Sequence, residues 1–167
     1  MANLLNLLNE IAEQYAIHRN IQLHNLLGYG NDGAVWETNE NTAIKVLMRQ
    51  DSYDRELAAY IRLQERKVIS IGNYSIPELL GFDDTRLVIE MSVVSPPFVI
   101  DFAKSYVDSQ PDYPQEAMDD WLASTEELFS EFGWEYWEDV QSICRCFALS
   151  GFTTLMPDQR IFDALEF

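Results

Sequence analysis

Gly28-Tyr29-Gly30-Asn31-Asp32-Gly33-Ala34-Val35 matches G-x-G-x-x-G-x-V at every specified position. Glycines at this spacing allow a tight turn and let backbone N–H groups approach a phosphate with no side chain in the way. Ten positions beyond Val35, Lys45 is flanked by apolar residues in Ala43-Ile44-Lys45-Val46-Leu47. Side chains alternate between faces along a strand, so this lysine points opposite to its neighbours, where its charge can meet a phosphate. Glu56 follows eleven positions later, inside Asp54-Arg55-Glu56-Leu57-Ala58-Ala59-Tyr60, a run with helical patterning. Each feature alone has an ordinary explanation: a hairpin turn, a surface strand lysine, a solvated helix carboxylate. Their order within 29 positions is what points to a phosphate site.

The elements that must position these residues follow from periodicity. Leu4, Leu5, Leu8, Ile11, Ala12 and Tyr15 recur at three-and-four spacing and predict a helix over 2–16. Residues 21–27, 34–38 and 42–48 read as strands, joined by the glycine turn and by Asn39-Glu40-Asn41, which makes an antiparallel meander. A helix over 51–67 carries Glu56, and 77–82 and 86–91 read as two further strands around the Asp83-Asp84-Thr85 turn. Ser95-Pro96-Pro97 breaks the pattern. Beyond it, helices are expected over 98–107, 114–132 and 134–150, with Trp121, Leu122, Leu128, Phe129, Trp137, Val140, Ile143 and Phe147 as their core.

A glycine loop for a dinucleotide joins a strand to a helix, whereas here a strand follows. With the glycine motif, Ala43-Ile44-Lys45 and Glu56, residues 21 to about 105 resemble the small lobe and hinge of the protein-kinase-like superfamily, in a short bacterial-type version. The resemblance implies an α+β fold: a five-stranded antiparallel sheet plus one helix as small lobe over 1–95, N-terminal helix included. A truncated, acidic helical remnant of the large lobe would fill 96–167. It implies ATP as ligand, with magnesium. Gly28, Gly30, Asn31 and Gly33 would then cradle its phosphates, Val35 lie over adenine, Lys45 neutralise the phosphates and Glu56 orient Lys45. In Leu87-Val88-Ile89-Glu90-Met91 and the residues after it, backbone groups from Glu90 through Ser92 to Val93 would meet the adenine edge.

The second half departs from that family. His-Arg-Asp and Asp-Phe-Gly are absent, and Asp101-Phe102-Ala103 comes too early to replace them, reading as a helix start. The segment 151–162 occupies the place of a catalytic loop but offers Leu155 or Met156 for the base and Arg160 or Ile161 for the metal-binding asparagine. Neither set can take a proton or hold magnesium. Asp158, two positions late, is the candidate base. No metal-ligand pattern stands out: His18 and His24 have no partner motif, and Cys144-x-Cys146 without a second pair reads as reduced thiols.

Charge narrows the partners. The chain carries 28 acidic and 11 basic side chains, net −17, which would repel nucleic acid and anionic membranes. Residues 101–167 hold 15 acids against 3 bases, a face for solvent or for a basic protein. The N-terminus lacks a basic region and a cleavage site, no apolar run reaches 18 residues, and a cytoplasmic location is expected. The reading is thus a kinase-like ATP-binding protein, a truncated pseudokinase with a regulatory or docking role. The alternatives are a small divergent ATP-dependent phosphotransferase, with Asp158 or Asp101 in the catalytic role, and an acidic interaction module that binds no nucleotide.

Overall fold

A computed structural model describes residues 2–71, 74–94, 100–108, 114, 116, 123 and 152–157. Helix α1 (Ala2–Arg19) leads into a meander of β1 (Leu23–Tyr29), β2 (Gly33–Thr38) and β3 (Thr42–Leu47). Helix α2 (Gln50–Arg66) follows, then a short hairpin of β4 (Ser70–Ile71) and β5 (Tyr74–Ser75), then β6 (Leu79–Asp83) and β7 (Val88–Ser92). The main sheet has five strands in the order β1-β2-β3-β7-β6, every neighbouring pair antiparallel. The chain enters β7 from edge strand β6 and pairs it with β3, so the meander and the later hairpin close into one sheet.

Each face of this sheet carries one helix, and strand alternation sorts the side chains between them. Ala34, Trp36, Ile44, Val46 and Val88 bury against Leu8, Ala12, Tyr15 and Ala16 of α1. The buried α1 residues follow the expected helical spacing, although Leu4 stays exposed. Val35, Lys45 and Ile89 lie in register on the other face, where α2 packs: the Tyr60 hydroxyl meets Met91 Sδ at 3.1 Å. Lys67, in the left-handed region at φ 55°, ends α2, with Lys67 and Val68 N–H groups returning to Gln64 and Leu63 carbonyls.

The helix expected over 98–107 is instead strand β8 (Ile100–Val107), paired antiparallel with β9 (Phe152–Pro157). Ile100, Phe102 and Tyr106 stand at even spacing in a run rich in β-formers, and a partner some fifty positions away supplies the ladder that local patterning cannot reveal. Asp101 therefore stands opposite Met156 in a sheet and not at a helix start, and Leu155 and Met156 belong to a strand and not to a loop. β8 lies along α2, and Asp108 at its end pairs with Arg62 through both carboxylate oxygens. The helices expected over 114–132 and 134–150, with their core, and Asp158, Cys144 and Cys146 lie outside the described residues. No helix among the described residues is long and apolar enough to cross a membrane.

Candidate functional site

Lys45 Nζ lies 2.8 Å from Glu56 Oε1 and 2.7 Å from Oε2. The pair spans from the middle of β3 to the second turn of α2, and the α2 packing that buries Tyr53, Leu57 and Tyr60 sets its distance. Glu56 is 2% exposed and the Lys45 side chain 14%. A buried carboxylate that grips an ammonium with both oxygens fixes the lysine extended. An ammonium has three donors, and two suffice for this grip, so one N–H remains for a ligand.

The glycine turn adjoins this pair. Val35 is directly opposite Lys45, and Gly33 opposite Leu47, so the turn between β1 and β2 continues the surface on which Lys45 stands. Gly28 pairs with Val35, the Gly30 N–H closes the turn on the Gly33 carbonyl at 2.9 Å, and Asn31 is exposed at the tip. The glycines serve different needs. A Cβ on Gly33 would collide with the Val46 carbonyl oxygen, so this glycine is required by the approach of β2 to β3. A Cβ on Gly30 would meet nothing within 4 Å, so the fold does not require a glycine there.

The residues expected at the adenine edge are divided by the structure. Glu90 is not brought to the glycine turn: its backbone is paired on both sides, with Ile44 and Gly81, and its side chain faces α1. There Oε2 accepts from the Tyr15 hydroxyl at 3.0 Å and Arg19 Nε at 2.9 Å, while Oε1 accepts from Thr42 Oγ1 at 3.2 Å. Burial first, and then the Glu90 charge, push the Tyr15 phenol far above its ordinary range, so it stays a donor. The same carboxylate's hydrogen bond raises the Arg19 guanidinium. Ser92 is spent on β6: its N–H reaches the Glu78 carbonyl at 2.9 Å and its Oγ accepts the Glu78 N–H at 2.8 Å. Val93 follows the end of β7 with an exposed side chain, beyond the last ladder residue.

Sequence reasoning missed several participants. Ala43, two positions from Lys45 on β3, shares its face, as strand alternation already implied. Arg49, the N-cap of α2, reaches the Asp32 carboxylate of the glycine turn at 3.4 Å. Tyr53 fastens α2 to the β6–β7 turn through Asp84 at 2.8 Å, and burial, with that carboxylate, raises its phenol well above the usual range. Gly81 inside a strand pattern was a legible sign of a bulge or close approach, and the register does shift between Leu79 and Gly81. Among the described residues, no group of three or more His, Cys, Asp or Glu side chains is placed to hold a metal ion.

No protein-family model and no curated protein matches the sequence. Among solved structures, a streptomycin–ATP–APH(2")-IIa ternary complex is similar at 26% identity and a TM-score of 0.41, over 55% of this chain and 30% of that one. An ADP-bound aminoglycoside phosphotransferase APH(2'')-Ib is similar to the same extent, with the same identity, TM-score and coverage. The matched region thus spans less than a third of the length of those proteins. The five-stranded antiparallel sheet, the helix on one face and the lysine–glutamate pair between them are the features that the resemblance to a protein-kinase-like small lobe implied for this region.

Proposed function

We propose that this chain binds ATP on the α2 face of its main sheet and acts through conformation or docking, as a pseudokinase does. The Lys45–Glu56 pair beside the glycine turn carries the reading. A lysine whose charge is held in place by a buried carboxylate, with a donor to spare, is placed for phosphate and has no structural need of one. Open space beside Gly30 supports the phosphate cradle, with Gly28 and Asn31 next to it. Val35 and Ala43 offer an apolar surface for a base, and the chain past β7, at Val93, offers backbone for its edge. Magnesium would arrive with the nucleotide. The absence of a base at Leu155 and Met156, now on a strand, favours docking over transfer, with the acidic second half as the face for a basic protein.

The test is the unfolding midpoint with and without ATP and magnesium, on wild type and Lys45→Met. Nucleotide at a hundred times its dissociation constant should stabilise the native state by about 2.7 kcal/mol, a shift of a few degrees. A wild-type shift that Lys45→Met removes supports the site. No shift under any condition sinks it and leaves the acidic interaction module.

The formed Lys45–Glu56 pair also favours a second reading, since a phosphotransferase needs that geometry in place before chemistry. Magnesium-dependent ATP turnover that vanishes in Lys45→Met would replace the docking role by a divergent phosphotransferase, with Asp158 or another carboxylate as its base.

A further inference from the structure

The tip of the glycine turn is held by contacts that the Lys45–Glu56 pair does not make. Asp32 accepts the Met48 N–H on its carbonyl at 3.0 Å, and its Oδ1 faces Arg49 Nη2 at 3.4 Å. Arg49 also donates to Ser52 Oγ at 2.9 Å and has Asp51 3.7 Å away. Because Val35 pairs with Lys45 and Gly33 with Leu47, Arg49 stands just past the end of β3, at the mouth of the turn, while Lys45 lies further inside. Its side chain is 57% exposed, so a ligand can reach it.

Charge at this mouth is poorly matched to a polyphosphate. Lys45 is already balanced by Glu56, and Asp32 adds a negative charge at the turn. An exposed ion pair at 3.4 Å contributes little, whereas a guanidinium can take phosphate oxygens with two parallel, charge-assisted hydrogen bonds. Exchange of Asp32 for phosphate as the partner of Arg49 is therefore favourable, and Ser52 keeps the guanidinium near the turn meanwhile. Resting on the nucleotide reading above, we infer that Arg49 is a second phosphate ligand of the site, and that it selects a nucleoside triphosphate over a diphosphate. A polyphosphate that starts at Lys45 and runs along β3 toward the mouth presents its terminal group to Arg49.

Calorimetric titration of the full chain with ATP and with ADP, on wild type, Arg49→Gln and Asp32→Asn, tests this. Arg49→Gln should weaken ATP by about tenfold and leave ADP little changed. Asp32→Asn, which removes the competing carboxylate, should tighten ATP. If the pair merely shapes the turn, breaking it from either side weakens both nucleotides alike, and the inference fails. An unchanged ATP-to-ADP ratio in Arg49→Gln, with Lys45-dependent binding intact, overturns this role for Arg49 alone. Wild type that binds neither nucleotide overturns the nucleotide site and Arg49's role together.

Discussion

The Tyr15 hydroxyl fills the space that a side chain at Gly81 would need: a Cβ there would stand 2.5 Å from it and 3.3 Å from Glu90 Oε2. α1 is thereby latched onto the sheet through Tyr15 and Arg19, both bonded to one buried carboxylate on β7. Gly81→Ala should force the latch apart and cost about 1–3 kcal/mol, read as a lower urea midpoint. Leu80→Ala, at an exposed neighbour on the same strand, should change the midpoint little. Equal effects would show that the latch is not what holds α1.

The two glycines of the turn should separate folding from binding. Gly33→Ala places a methyl against the Val46 carbonyl and should lower the melting temperature by several degrees whether or not nucleotide is present. Gly30→Ala meets open space and should melt within about 0.5 kcal/mol of wild type, yet respond more weakly to ATP. A Gly30→Ala chain with a full ATP response would make the turn an ordinary hairpin.

Removal of the lysine should uncover a stability cost distinct from ligand loss. Lys45→Met removes the ammonium that balances the Glu56 carboxylate, 2% exposed, and should destabilise the fold by about 3 kcal/mol in urea unfolding. Adding Glu56→Leu should recover much of that stability without restoring the ATP-induced shift, because the buried charge is gone but the phosphate's cation is not back. Recovery of both would mean that the pair is structural only.

Asp83 should shape the acid limb of stability. Burial pushes its carboxyl up, but Arg86 Nη1 at 2.6 Å and the Thr85 and Arg86 N–H groups outweigh that and hold it below the usual range. A carboxyl lowered in the folded state stabilises above its unfolded pKa of about 3.9, and that contribution drains away as pH falls through the folded value. Asp83→Asn should therefore lower the melting temperature at pH 7 and lose its deficit relative to wild type at pH values below that of the folded group. A constant gap across the range would remove Asp83 from the account.

Elements whose signal is local were legible. β1 to β3, α2, β6 and β7 stand within a few residues of where alternation and helical spacing put them, because burial of one face imposes that spacing on nearby residues. The Lys45–Glu56 pair was legible only through the resemblance to the kinase-like motif order, and the packing of α2 on the sheet is what brings the two side chains together. The glycine motif was readable as a turn, but not that Gly33 is demanded by Val46 and Gly30 by nothing within the fold.

What the amino-acid order determined by itself was thus most of the run of strands and helices and the glycine turn, each set by neighbours a few positions away. Only the tertiary structure decided that 100–107 is a strand, because its partner β9 comes from a distant segment, and that the Glu90 side chain is bonded to α1. A buried carboxylate takes whichever donors the fold brings to it, and here α1 brings Tyr15 and Arg19 across more than seventy positions of chain.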